Sequence, residues 1–322
     1  MPIQFFISVL LLFTLGSTET FAKEPDETVH SLYHSLMNKP NLTMEQRLDF
    51  ISQYFLSLPY ENNPLGEGKP NDFDENPRYR TDAFDCETYV DTVLALAFAT
   101  NIQGFKHCID NIRYKDGNIS FITRNHFASL DWIPNNQHQG FIHDITKTIV
   151  NQNKQPLALE AKALIDKPNW YKKLPITRIR QNKMSSQEDH LKRLEQLKNF
   201  GVRSTQAEVA TIPYLPLSSL FNGAKEPDDF IFRQIPHGAI ISIVRPNWDL
   251  TESIGTHLNI SHLGFAFWVN HTLMFRQASS LKHQVVDVPL INYLRDTLES
   301  PTIKGINIQV VDSATSPKAC SN

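Results

Sequence analysis

Three residues have the types and spacing for thiol chemistry. Cys86 lies in "FDCETYV", residues 84–90, where an acid, a cysteine and another acid lead into the apolar run "DTVLALAFA". That run has the composition of a buried helix, so the cysteine falls at its opening turn. The thiolate is the reactive form, and the unpaired N–H groups and positive dipole of a helix N-terminus lower a thiol's pKa. A thiolate nucleophile needs a base. His262 opens the apolar strand "SHLGFAFWV", with Gly264 close by, at a strand end from which a side chain can reach a cleft. The base needs an orienter to fix its tautomer. Gln277, in "MFRQASS", comes fifteen residues later. An antiparallel hairpin could set the two side by side, with the glutamine oxygen accepting the Nδ1 proton. Against these readings stand a small packing cysteine, one rim histidine among twelve, and a solvated strand glutamine.

The elements that must position these residues are legible in outline. Residues 28–38 and 43–57 read as helices; in the second, Leu48, Ile51 and Phe55 recur at helical spacing. Thr43 and Gln46 form a candidate capping box. "LPYENNPLGEGKPNDFDENPRYR" is a long Pro-, Gly- and Asn-rich loop that leads to a helix over 84–99. Asp85 is placed to cap that helix, and Val90, Val93, Leu94 and Ala97 would hold the sulfur in place. Two β-type runs around Asp116-Gly117 predict a hairpin over 110–124. "RNHFASLDWIPNN" reads as loop and "FIHDITKTIV" as strand. Residues 155–208 read as a polar connection. It carries one amphipathic helix, "SSQEDHLKRLEQLKNFG", capped by Ser185, ended by Gly201 and packed through Leu191, Leu194 and Leu197. "LPLSSLF" reads as a short helix. "GAIISIVR", "SHLGFAFWV", "HTLMFRQAS", "HQVVDVPL" and "INIQVVD" follow as short antiparallel strands. Helices first and a sheet afterwards indicate an α+β domain.

Composition narrows the function classes. The 322 residues carry a net charge of −3, with 41% hydrophobic and 20% charged residues, so neither a nucleic-acid binder nor a polybasic membrane binder is indicated. Residues 1–22 are apolar from Ile3 to Leu15 and end small at Thr20 and Ala22, which predicts a secretory signal peptide rather than a stable membrane anchor. The remaining cysteines are Cys86, Cys108 and Cys320, an odd count. Either Cys108 and Cys320 pair and free Cys86, or all three are thiols. Sequons at Asn41, Asn118, Asn259 and Asn270 would crowd the His262 region with glycans, which favours a bacterial envelope over a eukaryotic secretory route.

Several ordered motifs together carry a family resemblance. They are "PLGEG" at 64–68, "FDCETYVDTVLALA" at 84–97, "RNHFASLDW" at 124–132, "IPYLPLSSLF" at 212–221, "IPHGAIISIV" at 235–244, "SHLGFAF" at 261–267 and "RQASS" at 276–280. From about residue 45 to 312 the chain resembles the DUF1460 branch, N-acetylmuramoyl-L-alanine amidase-like, of the NlpC/P60 superfamily of papain-like cell-wall hydrolases. The resemblance implies a papain-like α+β fold in which the nucleophile helix packs on an antiparallel sheet. It implies one catalytic domain over 23–322, with a helical and loop insertion at about 133–208 walling the cleft. Cys86 matches the nucleophile and His262 the base. Gln277 stands where the family pattern has His, which leaves the third role open, with Asn125 and His126 next in line. Tyr60 matches the tyrosine beside the cysteine, whose hydroxyl would steady the oxyanion together with the Cys86 N–H. Asn125, His126 and Asp131 would bind substrate or brace the cleft. The implied reaction is amide hydrolysis through an acyl-enzyme at the muramoyl–L-alanine bond. Peptidoglycan fragments would be the substrate and a monomer, periplasmic or secreted, the acting form. No cofactor is implied, and no His/Glu cluster has zinc spacing. A γ-D-Glu-diamino acid endopeptidase on the same scaffold and a non-catalytic secreted binding protein are the rival readings.

Overall fold

The computed structural model describes residues 24–69, 73–180, 186–311 and 320; the predicted signal peptide, residues 1–22, lies outside the described residues. The helices are α1 (Pro25–Met37), α2 (Met44–Tyr54), α3 (Cys86–Phe98), α4 (Ile102–Arg113), α5 (Ile133–His138), α6 (Lys167–Lys173), α7 (Gln187–Ser204), α8 (Leu217–Leu220), α9 (Asp229–Phe232) and α10 (Leu290–Asp296). The strands are β1 (Ile142–Asp144), β2 (Leu159–Asp166), β3 (Ala207–Pro216), β4 (Ala239–Leu250), β5 (Thr256–Val269), β6 (Thr272–Ser279), β7 (Gln284–Pro289) and β8 (Gly305–Val311). They form one sheet in the order β2-β3-β8-β4-β5-β6-β7, with β1 on β8, and every pairing is antiparallel.

Alternation along β4 shows why both sheet faces are covered. Ile240 and Val244 enter one core with α1 to α4, while Ile241 and Ile243 enter another with α8 to α10. Helix α3 lies in the first core: Tyr89, Val90, Val93 and Leu94 are fully buried, and Tyr89 meets Phe265 of β5 edge-on at 6.1 Å. Removing one such side chain, as in Leu94→Ala, costs about 2–5 kcal/mol. The Thr43/Gln46 capping box is present on α2, and Asp85 caps α3 as expected.

Four sequence expectations are corrected. Residues 110–124 do not form a hairpin. Asn101 caps α4, and Ile102, Phe105, Cys108, Ile109 and Ile112 give it a buried stripe through Arg113. The Asp116-Gly117 turn is real, with φ of 53° and 69°, but it follows a helix and closes on a single Tyr114–Arg124 bridge. "RNHFASLDWIPNN" is largely helical, with a π-turn at Ala128–Trp132 running into α5. In "FIHDITKTIV" only Ile142–Asp144 is strand. The polar 155–208 connection supplies β2, which pairs along its length with β3; Ala161, Ala163 and Ile165 turn inward while Lys162 and Leu164 turn out. Its Leu, Ala, Glu and Lys are helix formers, and tertiary pairing overrides that propensity.

Helix α7 also departs in detail. Ser186 is its cap, Ser185 lying outside the described residues. Gly201 does not end the helix but lets it press on Tyr171, where a Cβ would come within 2.1 Å of the ring. Leu194 and Leu197 are buried, whereas Leu191 faces solvent. Cys108 and Cys320 are joined as a disulfide and Cys86 is free.

Candidate active site

Cys86 is the first residue of α3. Asp85 accepts the Thr88 N–H at 2.8 Å, and Thr88 Oγ1 accepts the Asp85 N–H at 3.0 Å, so the turn carrying the sulfur is closed from both sides. The backbone N–H of Leu263, the residue after His262, lies where it favours a Cys86 thiolate. That placement brings the helix start to the β5 position the sequence singled out.

His262 and Gln277 are brought together directly: Gln277 Oε1 accepts from His262 Nε2. The pairing register explains this. Phe265 lies opposite Arg276, which sets Gln277 beside Gly264 on the neighbouring strand. A Cβ on Gly264 would lie 3.0 Å from Gln277 Cβ and 2.6 Å from the Arg276 carbonyl oxygen, so only glycine leaves Gln277 free to reach the imidazole. Ser261 is the extra residue of a β-bulge, since Ile243 pairs with His262 and Val244 with Ile260. Bulges re-aim a side chain at a site. Arg276 locks β6 from the other face, bonded to Asp49 and Asp287 at 2.7 Å each. Tyr293 of α10 stacks on the His262 ring at 6.5 Å. The sequence predicts the glutamine bond at Nδ1; the ring is turned so that Nε2 takes it. No hydrogen bond joins Cys86 to His262.

The electrostatics also differ from the sequence expectation. The Cys86 thiol is pushed up rather than down: desolvation is the main cause, the Asp85 and Glu87 carboxylates add to it, and the Leu263 and Glu87 amides only partly oppose it. Burial pulls His262 from 6.5 to about 4, with Gln277 opposing. Sulfur and imidazole are therefore both neutral near pH 7. Burial also pushes the Tyr60 phenol up to about 12, with the charge of a Cys86 thiolate as the second cause.

A pocket of ≈ 180 Å³ opens on Cys86, and Tyr60, Asn125 and His126 line it. Tyr60 is held by bridging to Phe84, two residues before the cysteine. Asn125 is buried and donates Nδ2 to the Ile112 carbonyl at 2.9 Å, which braces the wall. His126 hydrogen-bonds the Phe121 carbonyl through Nε2 at 2.7 Å, and burial holds it neutral. Asp131 lies elsewhere. It lines a separate groove, paired with Lys167 at 2.6 Å, and its Oδ2 accepts the Phe127 N–H at 3.3 Å. Neither Asn125 nor His126 is bonded to His262. Glu87, Asn63, Arg113 and Arg178 also line the Cys86 pocket, and the sequence reading missed them. Glu87 adjoins the cysteine and was open to suspicion; Arg178 arrives from the 155–208 connection with no local signal.

The site thus sets a half-buried free thiol at a helix start and, on β5, an imidazole oriented from the adjacent strand. A model of the AmiA-like family, described as N-acetylmuramoyl-L-alanine amidase-like, matches residues 50–303, and the chain belongs to that family. A crystal structure of a Legionella pneumophila str. Philadelphia 1 protein of the DUF1460 family model is 48% identical, with 89% of this chain and 94% of that chain covered and a TM-score of 0.85. An N-acetylmuramoyl-L-alanine amidase of Bacteroides uniformis is 24% identical, with coverages of 84% and 99% and a TM-score of 0.58; that likeness is one of fold. No curated protein matches the chain. Among the described residues no helix is long and apolar enough to cross a membrane.

Proposed function

We propose that the protein hydrolyses the amide between N-acetylmuramic acid and L-alanine in peptidoglycan fragments, with Cys86 as nucleophile, His262 as base and Gln277 as orienter. The observation that carries this reading is a free Cys86 thiol at the start of α3, which packs on β5, with the His262 ring of β5 held by Gln277. Both reacting groups start neutral. The Sγ proton passes to Nδ1 as sulfur attacks the lactyl carbonyl carbon, and Gln277 Oε1 holds the resulting imidazolium through its Nε2–H. The oxyanion is taken by the Cys86 N–H and the Tyr60 hydroxyl, which stays protonated with its pKa near 12. Collapse breaks the C–N bond, the imidazolium gives its proton to the alanine amine, and water later cleaves the thioester by the same base. Family membership supports the substrate class. The papain-like reading of the fold, export of the mature chain to the periplasm and action as a monomer belong to the same proposal.

The test is mass spectrometry of products from a defined muropeptide. Release of the intact peptide with a free L-alanine amine is expected. A cut after γ-D-glutamate would replace the reading with the endopeptidase. No product from wild type would leave a binding protein.

A further inference from the structure

The Cys86 pocket gathers three guanidinium groups, and two are neutralised within the protein. Arg113 lies 3.8 Å from Asp91 Oδ2 and donates to the Arg78 and Gly66 carbonyls at 2.8 and 3.3 Å. Arg124 is held by Glu67 and Asp74 at 2.7 and 2.9 Å. Arg178 is different. It ends the short Ile176–Arg178 turn, one Nη donates to Asn63 Oδ1, and its Nε is buried without a partner. Among the described residues it has no carboxylate in ion-pair contact.

Asp85 and Glu87 share its pocket and act on it across space, but neither is in ion-pair contact with it. Asp85 is occupied by the Thr88 N–H and hydroxyl, each at 2.8 Å. Glu87 is pushed above the usual carboxylate range by burial and by Asp91 and Asp85. A buried guanidinium with an unpartnered Nε and no contacting carboxylate is unfavourable, and its fork suits a carboxylate in two-point contact. His126 adds a complementary feature on the same pocket: its Nδ1 is buried and unpartnered, an acceptor for an amide N–H.

We propose that Arg178 is the specificity residue of this site and binds a free carboxylate on the peptide part of the substrate, close to the bond that Cys86 attacks. The proposal rests on the reading of Cys86 as the nucleophile of an amidase. It predicts that the enzyme distinguishes acidic from amidated stem peptides by charge at this point.

The experiment compares N-acetylmuramoyl-L-alanyl-D-glutamate with its diamide, in which both carboxylates are carboxamides. Wild type is expected to favour the acid in kcat/KM by about ten- to a hundred-fold. Arg178→Gln should bring the ratio to near one by lowering turnover of the acid alone, and Arg178→Lys should keep part of the preference. Asn63→Asp, which hands Arg178 an internal carboxylate, should also erase the preference and keeps the test open where Arg178→Gln does not fold. Calorimetric binding of both compounds to Cys86→Ala separates the two readings. If wild type cleaves neither compound yet Cys86→Ala prefers the acid through Arg178, the amidase reading fails and the carboxylate site stands. If wild type cleaves both equally, or Arg178→Gln keeps the wild-type ratio, the carboxylate site is overturned.

Discussion

Gln277 offers the most direct test of the catalytic reading, because its only bond to the base is one hydrogen bond. Its Oε1 faces His262 Nε2, and burial holds that imidazole near 4. In wild type, the acid limb of kcat/KM should therefore fall near pH 4, with little change up to neutrality. Gln277→Ala removes the bond that orients the ring and opposes the effect of burial. Loss of one such bond costs about 1–3 kcal/mol, or about ten- to a hundred-fold in kcat/KM, and the acid limb should move lower still. Gln277→Glu sets an anion against the same nitrogen and favours the imidazolium. Its acid limb should rise to between about pH 5 and pH 7. The two substitutions thus shift the limb in opposite directions, which a general loosening of β6 would not do. The assay is kcat/KM against pH on one muropeptide, with circular dichroism to check the fold of each variant. If both variants track wild type in rate and profile, Gln277 does not orient the base, and the mechanism loses its third member.

Three further outcomes follow from the same structure. Because burial and the Asp85 and Glu87 carboxylates push the Cys86 thiol up, iodoacetamide should label Cys86 more slowly at pH 7 than an ordinary thiol of pKa about 8.5, with the rate climbing into the alkaline range; fast labelling at pH 6 would contradict this, while Cys86→Ala should abolish turnover and keep the fold. The Cys108–Cys320 disulfide spans 212 residues, so Cys320→Ser or reduction should lower unfolding stability by about 2–4 kcal/mol; an unchanged urea midpoint would show that the bond contributes nothing to the folded state.

The sequence by itself determined the local parts of this protein. The apolar runs of α3 and of β4 to β8 are long and regular enough to name their own secondary structure, and Asp85 and Thr43 caps depend only on neighbours within four residues. The proximity of His262 and Gln277 was also legible, because a two-strand hairpin fixes register over a short span. What needed tertiary structure was everything set by partners distant in the chain. Strand β2 has a helix-like composition and is a strand only because β3 pairs with it along its length. The 110–124 segment reads as a hairpin until Phe105, Cys108 and Ile112 are seen packed in the core as one helix face. Which imidazole nitrogen meets Gln277 follows from the bulge at Ser261 and the space above Gly264, neither of which local sequence encodes. The direction of the Cys86 pKa was misread for the same reason. A helix start favours the thiolate locally, but desolvation depends on all the atoms packed around the sulfur, and here it outweighs the helix end. Arg178 reaches the pocket only because β2, α6 and the turn after it fold back toward Asn63, which no neighbouring residue announces.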